Sequence, residues 1–186
     1  MSRVPKRLQS LELTARTAQK AADIIAAMRD SSNVAYQERV TRVDIVLRSY
    51  GERNVLGGVD FDELKYVTRT LYKVFIAQDV SEAAAILNDI LTEFAGPPYL
   101  SRRESGVWSL YADDGDGASW VKQFTVSSAL AFAALLTEED KNPCRLCASP
   151  SCSRPLISFS KNGNQHYCST RCATRERVAV YRKRVA

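Results

Sequence analysis

All five cysteines of this chain of 186 residues lie between positions 144 and 172, and the first 143 residues contain none. A secreted disulfide scaffold usually spreads an even number of cysteines along its length, whereas thiols clustered in an otherwise cysteine-free chain are typical of a metal site. Structural Zn²⁺ sites are closed by four such ligands, two on each of two tight turns. The sequence therefore predicts one structural Zn²⁺ ion in its C-terminal part.

The residues leave the choice of ligands open, because five cysteines compete for four positions. Cys144-x2-Cys147 is the better-known zinc spacing, but Cys147-x4-Cys152 is also suitable, and either pair could face Cys168 and Cys172. His166, the single histidine of the chain, is a further candidate. A lone histidine next to a ligand is more often a surface group than a ligand itself. The alternative to a metal site, for which the sequence gives less support, is a set of buried reduced cysteines without a metal.

The residues around the cysteines predict a small framework for the metal. Residues 156–159 and 165–167 are predicted to pair as a hairpin about Asn162-Gly163, a dipeptide favoured in tight turns. A helix is predicted from Ala173 to Arg184. We call each tight turn that carries two of the ligands a knuckle. The order knuckle, hairpin, knuckle, helix is that of a treble-clef-like finger.

The C-terminal part is also strongly basic. From Lys141 onward there are ten lysines and arginines and a single acidic residue, Glu176, although the whole chain carries only +5. Such an asymmetry indicates an anionic partner. On the predicted helix three arginines lie near one face and two on a neighbouring face, while Val178 and Tyr181 are expected to pack inward. The candidate nucleic-acid contacts are Lys161, Arg171, Arg175, Arg177, Arg182, Lys183 and Arg184.

Residues 1–140 are predicted to form a mostly helical domain. Apolar residues recur at steps of three and four, interrupted by turn residues such as Gly57-Gly58 and Gly96-Pro97-Pro98. Asp60 or Asp62 is expected to cap one helix and Ser81 the next. The fold class is therefore mainly α with a small β component. Helices are predicted over 8–29, 34–50 and 119–136, two more lie between them with their apolar positions at Leu64 to Phe75 and Ala84 to Leu91, and a short strand is predicted over 107–111.

This helical domain shows no catalytic constellation, since it contains neither histidine nor cysteine. The acidic run Asp113, Asp114 and Asp116 lacks EF-hand spacing and is interpreted as a solvated turn. Aromatic residues near the strand are candidates for a ligand pocket, although such residues are more often core: Tyr99, Trp108, Tyr111 and Trp120.

No membrane or export signal is apparent in the sequence. There is no run of about 18 apolar residues, and the stretch from Leu8 to Leu13 is too short and polar for a signal-peptide core. We expect a cytoplasmic protein that does not bind membranes.

The C-terminal part resembles the CGNR zinc finger. The pair Cys147-x4-Cys152 is similar to the family's first knuckle, and Ser160-Lys161-Asn162-Gly163 is similar to its turn. Tyr167-Cys168-Ser169 matches its aromatic-Cys-Ser step. Cys172-Ala173-Thr174-Arg175 stands where the Cys-Gly-Asn-Arg signature would be and keeps its first and last residues. The resemblance implies that Cys147, Cys152, Cys168 and Cys172 are the zinc ligands and that Cys144 is spare.

The resemblance also implies a biological role. Members of this family usually carry an N-terminal ABATE domain, to which residues 60–140 are loosely similar, and are regarded as stress- or ligand-responsive transcriptional regulators. Residues 1–140 would then be an ABATE-like domain that senses a small molecule or forms a homodimer, and residues 144–186 a finger that binds double-stranded DNA. An RNA- or protein-interaction module is the alternative. We do not expect an enzyme, because four cysteines would leave no open metal position.

Overall fold

The computed structural model of the chain describes residues 6–30, 34–102, 106, 108–138, 141–158 and 165–185. For residues 6–11, 116 and 183–185 it describes the backbone alone. Three sequence predictions fall outside the described residues: Lys161 as a nucleic-acid contact, and Phe159 and Asn162-Gly163 as parts of the hairpin.

The described residues form six α-helices and two small antiparallel sheets, which confirms the predicted fold class. No helix among them is both long enough and apolar enough to cross a membrane. The elements in chain order are α1 (Lys6–Arg29), α2 (Tyr36–Ser49), α3 (Phe61–Ile76), α4 (Val80–Phe94), β1 (Tyr99–Arg102), β2 (Trp108–Tyr111), α5 (Trp120–Glu138), β3 (Cys144–Leu146), β4 (Pro155–Ile157) and α6 (Thr170–Val185).

Aspartates cap the two central helices. Asp60 accepts hydrogen bonds from the backbone N–H groups of Asp62 and Glu63 at the start of α3. At the start of α4 it is Asp79 that accepts from the Glu82 N–H, so the prediction of Ser81 as the cap is wrong by two residues. A side-chain acceptor must precede the first turn to reach its free N–H groups, and Ser81 already lies inside that turn.

The core lies where α1, α3 and α5 meet, with α2 and α4 packed on the outside. Ile24, Leu71 and Phe132 are fully buried there. The rings of Phe75 and Phe132 meet edge to face, with their centroids 5.3 Å apart. The apolar positions predicted for α3 are all buried, so helical periodicity identified the core face of this helix correctly (Leu64, Val67, Leu71, Val74 and Phe75).

The β1–β2 hairpin separates the aromatic residues that were candidates for a ligand pocket. Tyr99 and Tyr111 are cross-strand partners and their rings stack at 5.7 Å. Trp108 pairs with Arg102 on the opposite face of the hairpin, where it is 59% exposed. Trp120 stacks instead on Phe124 within α5. These four side chains therefore do not line one common site.

The acidic turn after β2 has a structural explanation. Asp113 is nearly buried and accepts hydrogen bonds from the Tyr99 hydroxyl at 2.6 Å and from the Gly115 N–H at 3.0 Å. Asp114 forms an ion pair with Lys122 of α5. These contacts fix the turn against the hairpin and the last helix.

The second sheet, β3–β4, packs against α1 and α3 rather than standing apart. Cys144 and Ile157 on this sheet belong to the same buried cluster as the helices, with Leu146 packed beside them. The predicted hairpin partner is wrong. β4 pairs with β3, and residues 165–167 are not in a strand. Pairing with β3 places Ile157 of β4 in the helical core and Leu156 against the cysteines of the knuckles, a gain that local turn preference did not reveal.

Candidate metal centre and basic helix

The first knuckle follows directly from β3 and turns back into β4. The Cys147 N–H donates to the Arg154 carbonyl at 2.9 Å, and the Cys152 N–H donates to the Ser149 carbonyl at 2.8 Å. The Ala148 N–H donates to the carbonyl of His166 at 2.8 Å, which joins this turn to the segment before the second knuckle. The loop from 147 to 152 is thus held at both ends and along one side.

The second knuckle is the start of α6. Ser169 precedes the helix, and its hydroxyl accepts a hydrogen bond from the Cys172 N–H at 3.3 Å, the usual role of an N-cap serine. Cys168 lies immediately before this cap and Cys172 lies in the first turn. Their sulfur atoms are consequently on the same side of the helix start, 3.7 Å apart.

The sulfur atoms of Cys147, Cys152, Cys168 and Cys172 all lie within 4.8 Å of one another. The Cys152 and Cys168 sulfurs are 3.7 Å apart, far longer than the roughly 2.05 Å of a disulfide. With Zn–S bonds of about 2.3 Å, the edge of a regular tetrahedron is about 3.8 Å. The Cys152–Cys168 and Cys168–Cys172 separations of 3.7 Å match that edge, and the other sulfur pairs lie within 4.8 Å, so the donor set suits a tetrahedral thiophilic cation.

The cysteines of the cluster shift one another's pKa values. Burial, together with the neighbouring cysteines, raises the pKa of Cys168 to about 12, and burial raises the pKa of Cys152. The hydrogen bond with Ser169 lowers the pKa of Cys172. Four thiolates at these distances repel one another strongly, and a divalent cation offsets that repulsion. The cluster is therefore suited to hold a metal ion.

The two other ligand candidates lie away from this cluster. Cys144 is 3% exposed, packs in the helical core, and its burial raises its pKa. His166 is exposed, and it is its backbone carbonyl that contacts the first knuckle. Among the described residues, neither belongs to the group of side chains that could hold the metal.

A polar network links the first knuckle to α6. The Ser149 hydroxyl, which is 1% exposed, donates to Glu176 Oε1 at 2.6 Å. Arg175 Nη2 donates to the same hydroxyl at 2.7 Å and to Cys172 Sγ at 3.4 Å. Arg175 Nε also lies 3.7 Å from Glu176 Oε1. Sequence reasoning missed Ser149 altogether, and the spacing of the arginines on the helix did not show that Arg175 turns toward the cysteines.

The rest of α6 projects from the knuckles with its basic residues exposed. Arg171, Arg177 and Arg182 are exposed, and no hydrogen bond or ion pair joins them to another residue in the described part of the chain. Of Lys183 and Arg184 only the helical backbone is described. The expectation that Val178 and Tyr181 pack inward is wrong, since they are 43% and 67% exposed. The first knuckle contacts α6 at Arg175 and Glu176, and Tyr167 lies beside Val180 and Tyr181 farther along the helix.

Side chains of the helical part contact the two residues that follow the first knuckle. Asp23 on α1 accepts from the Tyr50 hydroxyl at 2.7 Å and lies 3.5 Å from Arg154. Burial, followed by the bond to Asp23, raises the pKa of Tyr50. The Tyr72 hydroxyl, 3.4 Å from the Ser153 carbonyl, donates to it. These contacts tie the metal-binding segment to α1 and α3, and no motif in the sequence indicated them.

Comparison with known proteins identifies the C-terminal segment. The sequence model of the CGNR zinc finger family matches residues 144–185, the segment that contains β3, β4, both knuckles and α6. This segment is called the finger below. No curated protein matches the chain. The chain thus carries a zinc finger with four clustered cysteines joined to a helical part that includes α1 to α5.

Proposed function

We propose that this protein is a DNA-binding transcriptional regulator in which a structural Zn²⁺ ion holds the start of a basic helix against the first knuckle. A single observation carries the proposal: α6 begins at the metal-binding knuckle, and its outer part is exposed and basic. The other parts of the proposal concern the ion, the nucleic acid and the helical part.

The identity of the ion follows from its donors. Four cysteine sulfurs near tetrahedral separations suit Zn²⁺, and the match to a zinc finger family points the same way. Four thiolates fill the coordination sphere and leave no position for a reacting water. Glu176, the one carboxylate of the finger, is engaged by Ser149. We therefore propose a structural ion and no enzymatic activity at this site.

The shape and charge of α6 favour duplex DNA as its partner. Arg171 and Arg182 are 11 residues apart, which is about three helical turns, so they lie on the same face about 16 Å apart along the axis. The major groove is about 12 Å wide and admits one α-helix. Arginines at that separation would reach phosphates on both sides of the groove, while Thr174 and Val178 between them would approach the base edges.

For the helical part we propose dimerisation or the sensing of a small molecule. A single finger with one basic helix buries little DNA surface, and regulators of this kind commonly bind as two-fold dimers. The exposed face of the β1–β2 hairpin carries Leu100, Trp108 and Leu110, which are each about 60% exposed. Sedimentation of the purified protein with and without DNA would give its oligomeric state.

A salt titration tests the main proposal. Purified protein is titrated into fluorescent duplex DNA over a range of salt concentrations, with and without a strong zinc chelator. We expect tight binding that weakens steeply with salt and is lost on chelation. The double variant R171Q/R182Q should weaken binding and flatten the salt slope by about two. R69Q on α3, which also removes an exposed arginine, should leave both unchanged.

DNA binding that is absent in wild type, or that survives removal of the metal, would overturn the proposal. A weakening by R69Q as large as that by R171Q/R182Q would show that net charge alone, and not α6, is responsible.

One observation favours RNA as a second candidate partner. Tyr167 and Tyr181 lie beside Arg177 and Val180 in a shallow depression along α6. Aromatic side chains next to arginine stack on unpaired bases, and each stacked base contributes about 1–3 kcal/mol. Under this alternative Y181A would reduce binding to single-stranded RNA far more than binding to duplex DNA. The reverse preference in wild type would favour the DNA regulator.

A further inference from the structure

The arginine nearest the cysteines on α6 is engaged by the finger itself. Arg175 Nη2 lies 2.7 Å from the Ser149 hydroxyl and 3.4 Å from Cys172 Sγ. Ser149 is fully buried and in turn donates to Glu176. One guanidinium therefore connects a metal-binding sulfur on α6 to the loop of the first knuckle.

The negative charge of the metal-bound site favours a positively charged donor at this contact. A divalent ion with four thiolates carries a net charge of about −2. Within the described residues, the donors to its sulfur atoms from outside the thiol groups are the Cys168 N–H, 3.4 Å from Cys147 Sγ, the Arg154 N–H at Cys152, the Ser169 hydroxyl at Cys172, and Arg175. Arg175 is the one charged donor among them. Arginine stays protonated at all relevant pH values and donates in a fixed planar geometry.

We propose that Arg175 is a positioning residue of the zinc site that holds the Cys172 thiolate and locks the first knuckle to α6, and that it does not contact nucleic acid. The inference rests on the zinc site proposed above. Hydrogen bonds to metal ligands orient them and tune their basicity, and the loss of one such partner typically costs about 10- to 100-fold in metal affinity. Arg175 is thereby distinguished from Arg171, Arg177 and Arg182, which have no such contact.

Two measurements on the zinc-loaded full-length protein test this assignment. The first is the rate at which zinc passes to a chromogenic chelator. We expect R175Q to release zinc about tenfold faster than wild type. R175K, which keeps the charge but cannot bridge both partners as a planar group, should fall between them. S149A should also release zinc faster, and the matched control R182Q on the same helix should release it at the wild-type rate.

The second measurement is the salt dependence of DNA binding with zinc in excess. Removal of a phosphate contact lowers the salt slope by about one, as we expect for R182Q. R175Q should leave the slope unchanged. Release of zinc from R175Q at the wild-type rate, or a slope reduced by one in R175Q, would overturn the assignment. If wild-type protein retains no zinc, the proposed metal site itself fails; if it retains zinc but binds no DNA, the release rates still decide the role of Arg175.

Discussion

Cys144 and Ile157 are directly opposite each other in the antiparallel pair β3–β4, and both are buried in the core formed by α1, α3 and α5. The first cysteine of the finger thus serves packing, while the next one, Cys147, points its sulfur into the metal cluster. In this chain the better-known zinc spacing, Cys-x2-Cys, therefore joins one cysteine on a core strand to one in a metal-binding knuckle.

The first prediction separates these two roles. C144A should retain one zinc ion per chain and lose about 1 kcal/mol of unfolding free energy, because it removes one small buried atom. C152S should lose the ion although this cysteine is less buried. Metal content by mass spectrometry under native conditions and chemical denaturation would measure both effects. Loss of zinc from C144A with retention in C152S would place the site on Cys144 instead.

The second prediction concerns pH. Because the pKa of Cys168 is raised to about 12, the metal-free site holds protons at neutral pH, and the metal must displace them. Metal affinity should therefore rise with pH and fall as the solution becomes acidic, by about tenfold per pH unit for each proton displaced. Competition titrations between about pH 6 and pH 8 against a chelator of known proton affinity would show this. An affinity independent of pH would mean that the ligands are not protonated thiols before binding.

The third prediction is that the finger and the helical part unfold together. β3 and β4 share the helical core, so the two regions should lose structure in one transition. Tryptophan fluorescence from Trp108 and Trp120 reports on the helical part, and the thiolate absorption of cobalt-substituted protein reports on the finger. We expect coincident midpoints, whereas two separate transitions would contradict a shared core.

A core substitution in the finger extends this test. I157A should destabilise both signals by about 3 kcal/mol, because it removes three buried carbon atoms from the common core. V178A on the exposed part of α6 is the matched control and should change neither signal by more than about 0.5 kcal/mol.

The fourth prediction addresses the polar contact beneath the first knuckle. R154Q should cost less than about 1 kcal/mol, because its ion pair with Asp23 is long and Arg154 is 43% exposed. D23N should cost more, since the buried side of Asp23 also accepts the Tyr50 hydroxyl. A double-mutant cycle should give stronger coupling for D23N with Y50F than for D23N with R154Q. Equal coupling would contradict this and would indicate that the ion pair stabilises the contact as much as the tyrosine does.

Local sequence signals predicted some parts of the structure well. Helical periodicity located the buried face of α3, because burial of one face requires that spacing. The four cysteines that the family resemblance implied as ligands are the ones the structure brings together. The match of residues 144–185 to the CGNR zinc finger family agrees with that resemblance, whereas the ABATE-like interpretation of residues 1–140 stays a prediction.

Contacts between distant segments could not be predicted in this way. The pairing of β4 with β3, and not with residues 165–167, depends on burial against α1 and α3. Likewise, Arg175 shares its helical face with Arg171 and Arg182, and only the position of Ser149 shows that its guanidinium turns toward the knuckle. The exposure of Tyr181 reflects how far α6 extends beyond the knuckles, a tertiary property that the amphipathic pattern of one helix does not contain.

The insertion of β3–β4 into the helical core has a geometric consequence for two copies on DNA. The first knuckle directly follows β3, which packs against that core, so a metal-bound finger would direct α6 the same way in each copy. A dimer formed through the helical part would hold its two recognition helices at a single separation and angle. Adding one base pair between two half-sites moves them apart by about 3.4 Å and rotates one about 35° around the duplex axis. Such a dimer would therefore select its operators by the length of the central spacer as well as by the bases it touches.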